Sequence, residues 1–236
     1  MAVLLLLLVF FREKPKTPPS AAGSGENDAE SDQLAQFKVL LSDSNFLKLS
    51  FTFGILFGTV NTYGTIVGII ANKMGYTDAN ASVFGAVFII GGIIGSGILG
   101  GFVEVTRKYK LAMMIISSIA ICGPFALLGT LYTGVVWPVC IAAFLLGFDL
   151  AILPVGIDFG VETTFPMPEP ISTGLLMSIS QLFGIVLVVS GTALIDAYDK
   201  KGCLYAQLIL IGMAIIGLIF SIAVKEDLKR MKFEAA

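Results

Sequence analysis

The stretch Leu145–Pro166, "LLGFDLAILPVGIDFGVETTFP", decides how this chain is read. Its first half completes a run, Val135 to Ile157, that is apolar or small apart from Asp149. Such a run exceeds the ~20 residues that a helix needs to cross hydrocarbon. Counting ~1.5 Å per residue from Val135, Asp149 lies ~20 Å from that end and so in the other half of the span, still too deep for a short side chain to snorkel freely. A carboxylate at that depth costs about 2.5–3.5 kcal/mol on insertion scales. Either a neighbouring helix holds Asp149 as a protonated, hydrogen-bonded acid, or it is a cavity carboxylate that pairs with a cationic substrate or takes up a proton.

Composition agrees with a membrane setting. Apolar residues make up 56% of the 236 residues and charged residues 14%, and mean hydropathy is +0.90. A net charge of −2 implies no nucleic acid. Histidine is absent, which removes the commonest metal ligand, haem ligand and general base. Cys122, Cys140 and Cys203 have no metal-ligand spacing and read as small hydrophobes. No cofactor and no enzyme chemistry are expected.

Six apolar segments long enough to span are expected at about 46–71, 81–103, 111–133, 135–157, 171–195 and 203–224. Residues 1–11 are apolar but too short to cross, and the basic residues follow the run instead of preceding it, unlike a signal peptide. They read as the remnant of a preceding transmembrane helix. Residues 12–44, including "KPKTPPSAAGSGENDAESDQ", read as a disordered cytoplasmic linker. Residues 45–225 form the six-helix domain and 226–236 a cytoplasmic tail. With the linker inside, only Lys73, Lys200 and Lys201 of the fifteen Lys and Arg residues lie outside, as the positive-inside rule requires. The fold expected is an all-α six-helix half of a twelve-helix carrier, two inverted three-helix repeats plus the truncated helix.

Polar residues inside the spans fall on faces. Gly54, Gly58, Asn61, Thr65, Gly68 and Asn72 follow one another at spacings of three and four, which sets them on one side of a helix. Tight packing accounts for the glycines, and a cavity-lining role for Asn61. Gln181 sits mid-span beside Gly174, Ser178 and Gly184. An interhelical hydrogen bond averages only about 0.6 kcal/mol, a weak reason to bury an amide, so Gln181 is read as cavity-facing. The glycines at 85, 91, 92, 95, 97, 100 and 101 are read as packing positions. At the next loop, "GGFVEVTRKYK" places Glu104 before Arg107 and Lys108. This is either a short charged loop or a latch in which Glu104 pairs with a base in one conformation. Asp158 and Glu162, four apart, are either an inner gate or surface charge.

"GGFVEVTRKYK" resembles a degenerate inner-loop signature of the major facilitator superfamily, with Glu104 in place of the usual Asp. "FFREKPKTPPSAA" (10–22), "LPVGIDFGVETTFP" (153–166) and "STGLLMSISQLFGI" (172–185) together resemble solute carrier family 49, the feline leukaemia virus subgroup C receptor-related transporters. The resemblance implies a carboxy-terminal half, helices seven to twelve. It implies alternating-access transport of a small cationic or amphipathic solute such as choline, ethanolamine or haem, at the plasma membrane or an endomembrane. Its cavity glutamine falls on Gln181. Its ammonium-enclosing aromatic falls at Asn61, and Tyr63, two residues on, points about 200° away. The substrate residues expected are therefore Asn61, Tyr63, Asp149 and Gln181. The expected partners are the small solute, the bilayer and an amino-terminal six-helix half or a second copy. A non-transporting fragment or a membrane scaffold is the alternative.

Overall fold

The computed structural model describes residues 33–234, all in helices and short connections. Residues 1–11, read as a helix remnant, and most of the linker lie outside the described residues. The helices are α1 (Gln33–Ser42), α2 (Ser44–Lys73), α3 (Asp78–Thr106), α4 (Tyr109–Leu131), α5 (Val136–Phe148), α6 (Ile152–Thr164), α7 (Glu169–Ala223) and α8 (Lys229–Glu234). A single 3₁₀ turn, Asp149–Ala151, joins α5 to α6, so Val136–Thr164 forms one interrupted span. Among the described residues five helices are long and apolar enough to cross a membrane, by length and composition.

The fifth of these, α7, is a hairpin. Asp199 breaks it with φ 49 and ψ −122. Beyond the break, Gly202 packs directly on the backbone of Leu194 and Ile195, and Gly191 faces Ala206. The two arms, residues 169–198 and 200–223, therefore run antiparallel, and each exceeds the ~20 residues of a crossing. The expected six-span all-α bundle is present.

Local chemistry sets the helix ends. The Asp43 carboxylate accepts from the Asn45 and Phe46 amides at 2.8 and 3.3 Å, which caps α2. Thr77 caps α3 through the Asn80 amide. Arg107 closes α3 in the left-handed region, φ 57, and Gly134, at φ 70, lets the chain turn between α4 and α5. Turns at Gly75, Gly134 and Asp199 share the far end of the bundle. The other end, where α1 and α8 lie, is the linker end.

One expectation fails here. The segment read as a disordered linker to residue 44 is helical from Gln33 to Ser42. Leu40 is only 3% exposed and joins the main core. "QLAQFKVLL" follows the acidic, proline-rich stretch directly, and its apolar content is enough to pack once the bundle offers a surface.

α2 is the most buried span and sits centrally. It packs against both arms of α7 and against α3 and α6. The outward surface is apolar, with Ile89, Ile93, Ile98, Leu182, Val186 and Ile219 exposed. That suits hydrocarbon, where backbone groups are satisfied within each helix and side chains need no water.

The glycines of α3 divide into two classes. Gly91, Gly92 and Gly95 lie against the backbone and side chains of Phe144, Phe148 and Leu150, and Gly147 of α5 lies against the Phe88 carbonyl. Gly97, Gly100 and Gly101 face open space. The packing reading therefore holds for the first class only. Gly147→Ala should overpack the α3–α5 crossing and cost about 1–3 kcal/mol in a denaturant titration of the purified protein. Gly97→Ala should stay within about 0.5 kcal/mol of wild type.

Candidate functional site

The stripe on α2 meets the first arm of α7. A methyl group at Gly54 would sit 2.9 Å from the Phe183 ring, and one at Gly58 would sit 3.0 Å from the Gly184 amide nitrogen. Glycine at these positions lets the two backbones approach closely. One turn further toward the far end the helices separate enough to leave a groove of about 410 Å³, open on one side. Asn61 and Thr65 line it from α2, and Gln181, Gly184, Ile185 and Val188 from α7. The volume falls in the range of small-molecule sites.

The Thr65 hydroxyl donates to the Asn61 carbonyl at 3.0 Å, so its proton is committed to its own helix. Among the described residues, neither the Asn61 nor the Gln181 side-chain amide takes part in a hydrogen bond. Both offer donors and acceptors to a ligand at mid-span. Beside the groove, on its linker-end side, Phe51 stacks on Phe220 (5.6 Å) and meets Phe183 edge-on (5.9 Å). No charged side chain lines the groove among the described residues.

The four residues expected to bind substrate divide into two pairs. Asn61 and Gln181 share the groove. Tyr63 and Asp149 do not reach it: Tyr63 is 1% exposed and Asp149 4%. The reason is angular for Tyr63, which points back into the core from the opposite side of α2. Asp149 opens the 3₁₀ turn, which packs against α2, α3 and α4. The Asp149 carboxyl acts electrostatically on the Tyr63 hydroxyl, and both are buried in the core away from the groove.

The expected gating residues also divide. Glu104 is exposed and makes no ion pair among the described residues. Arg107, besides ending α3, lies by the Tyr109 hydroxyl, and Lys108 is exposed ahead of α4. In this conformation Glu104 pairs with neither base among the described residues. Asp158 is exposed, with Glu169 and Arg230 as its electrostatic neighbours. Glu162 is buried, and its Oε2 accepts from the Met231 amide at 3.3 Å.

The contacts at the linker end come from the tail instead. The Asn45 amide donates to the Lys225 carbonyl (3.0 Å) and accepts from the Lys225 amide (2.8 Å). Lys110 Nζ donates to the Ile222 carbonyl at 2.8 Å. Arg230 pairs with Glu169 at 2.7 Å, and Phe233 lies 5.0 Å from Phe165. The segment from Val224 to Phe233 thus straps α2, α4, α6 and α7 together. The sequence marks 226–236 only as a cytoplasmic tail. The alternation of Leu228, Met231 and Phe233 with charges was the available signal.

The profile of the Major Facilitator Superfamily matches residues 1–160. The chain belongs to the major facilitator superfamily. It is 31% identical over 98% of its length to the choline/ethanolamine transporter FLVCR2 of Homo sapiens, covering 44% of that protein. It is likewise 31% identical to flvcr2a of Danio rerio, covering 49% of it, and 28% identical to FLVCR1 of Felis catus, covering 40%. The family resemblance read from the three motifs is thereby shown, and these relatives are named transporters. The chain spans about half the length of the curated relatives it matches. It is a multi-pass membrane protein.

The Asn45 clamp carries a test of the strap. Asn45→Ala removes both hydrogen bonds to Lys225, each worth about 1 kcal/mol. Limited trypsin digestion should then cut at Lys225 and Lys229 about tenfold faster or more than in wild type.

Proposed function

We propose that this chain forms one wall of a secondary transporter for a small cationic or amphipathic solute of the choline and ethanolamine kind. The observation that carries the reading is the pair of unengaged amides, Asn61 and Gln181, facing one groove at mid-span. A polar patch in an otherwise lipid-compatible exterior needs water or a ligand. The groove is open on one side, which suits closure by an amino-terminal six-helix half or a second copy. Alternating access then moves the two halves about the fixed site.

The chemistry favours a compact cation over haem. Among the described residues that line the groove there is no Tyr or Met to ligate iron. Amide oxygens orient their dipoles toward an ammonium and accept hydrogen bonds from a substrate hydroxyl. With Asn61 at the position where the resembled family has an aromatic, any cation–π enclosure falls to the opposing half. The linker end is cytoplasmic, on the Lys and Arg distribution, and the plasma membrane suits uptake of such solutes. Asp158 and Glu162 then stand at the inner mouth as gate residues, with Glu162 held by the strap.

Radiolabelled choline and ethanolamine uptake tests this reading. The chain would be expressed at the cell surface, alone and together with the amino-terminal half of a relative. Gln181→Ala should lower uptake about tenfold or more at equal surface expression, as loss of a hydrogen bond to a charged or strongly polar ligand does. Asn61→Ala should act in the same direction. Unchanged uptake in both variants overturns the assignment of the groove.

A further inference from the structure

Between residues 49 and 71, 80 and 103, 111 and 131, 136 and 157, 171 and 195, and 203 and 223, the spans contain one charged side chain, Asp149. It does not face the groove. It is 4% exposed, and its Oδ1 is buried with no hydrogen-bond partner among the described residues. The Tyr63 hydroxyl, on which it acts electrostatically, is equally buried and equally unpartnered. Two buried oxygens without hydrogen-bond partners in a membrane interior need an explanation.

The backbone at this point supplies a second observation. Pro154 has no N–H to give the Leu150 carbonyl, so the α-helical ladder cannot continue through it. The chain takes a 3₁₀ turn at Asp149–Ala151 instead, a form that mid-helix often marks a hinge. The segments on either side are anchored to different neighbours. Gly147 lies against the Phe88 carbonyl of α3, whereas Gly156 lies against the Phe53 ring of α2. The Asp149–Ala151 turn is therefore where a shift of α2 against α3 would bend the span.

The surroundings select the ligand. Between residues 49 and 71, α2 contributes one titratable group, Tyr63, on whose hydroxyl Asp149 acts electrostatically. α3 contributes none between 80 and 103, and α4 between 111 and 131 has only the Cys122 thiol, which is exposed. In α7 the titratable groups within the spans, Cys203 and Tyr205, lie by the Asp199 break. No cation is at hand to pair with a carboxylate. A metal ion needs several oxygens, whereas a proton needs one.

We propose that Asp149 is a proton-binding site inside the membrane, loaded while the span is packed as here and exchanged with water when the span bends at Asp149–Ala151. In a carrier, a proton bound in one conformation and released in the other biases the change between them. The site is independent of what the groove carries.

Infrared spectroscopy of the purified chain in lipid nanodiscs tests this without any transport assay. Near neutral pH exposed carboxyls are ionised, so a protonated-carboxyl stretch belongs to a buried acid. Of the two buried acids among the described residues, Glu162 accepts from the Met231 amide as a carboxylate, and Asp149 Oδ1 has no partner. Wild type should show the band, Asp149→Asn should lack it, and Tyr63→Phe should keep it at a shifted frequency. Its deuterium exchange should slow about tenfold or more in Pro154→Ala, because the restored backbone hydrogen bond must break before the span bends. A wild-type spectrum without the band overturns the proposal, as does a band that persists in Asp149→Asn. A band abolished by sodium at constant pH makes the occupant a metal cation instead. Exchange unaffected by Pro154→Ala removes the hinge. Failure of choline uptake leaves every one of these readings standing or falling by itself.

Discussion

The close approach of α2 to the first arm of α7 is the contact on which the rest of the structure depends. In hydrocarbon, apolar side chains gain nothing by meeting each other instead of lipid, so helices associate through close packing. Gly58 meets the Gly184 backbone and Gly54 meets the Phe183 ring because neither carries a side chain. That contact brings Asn61 and Gln181 to the same groove one turn away. A bulkier pair would hold the two amides apart and leave each in lipid. The same device recurs where Gly91, Gly92 and Gly95 meet α5, and this crossing sets the position of the α5–α6 span and so of Asp149.

The two ends of the bundle are closed by different means. At the far end Lys73 pairs with Asp199 at 2.6 Å, joining the end of α2 to the break in α7. Both side chains are well exposed there, so the pair marks the register more than it stabilises it. At the linker end the chain uses hydrogen bonds from the Asn45 and Lys110 side chains to the Lys225 and Ile222 carbonyls, together with the Arg230–Glu169 pair. Arg230 is more enclosed than Lys73, and its partner sits on a different helix. Glu162 is thereby already engaged within this chain. A gate that recruits Glu162 to an opposing half must first compete with the strap.

The separation of Asp149 from the groove changes the electrostatic account of the site. A cation in the groove would meet amides and apolar walls, with its charge offset by dipoles and by whatever closes the open side. The carboxylate that the sequence offers as a counter-ion is instead enclosed by α2, α3 and α4. The groove amide and the buried acid thus lie on two sides of α2: Asn61 on one, and Tyr63 with Asp149 acting on it on the other. Any coupling between them runs through the movement of α2.

Much of the fold was legible in the residues. Six apolar runs, their lengths and the distribution of Lys and Arg follow from the cost of placing polar groups in hydrocarbon, which acts residue by residue and needs no knowledge of neighbours. The α2 stripe was legible for the same reason, since spacings of three and four set its residues on one face whatever packs there. Gln181 joining Asn61, Gly97 facing nothing while Gly95 meets Phe148, Leu40 pulling the supposed linker into a helix, and the tail strapping Glu162 were all decided by which helix lies beside which. Asp149 marks the boundary between the two kinds of knowledge. Its depth in the membrane is a property of the sequence, but whether a buried carboxyl faces a groove or a core depends on the rotation and crossing of neighbouring spans, and those are fixed only by side-chain packing in three dimensions.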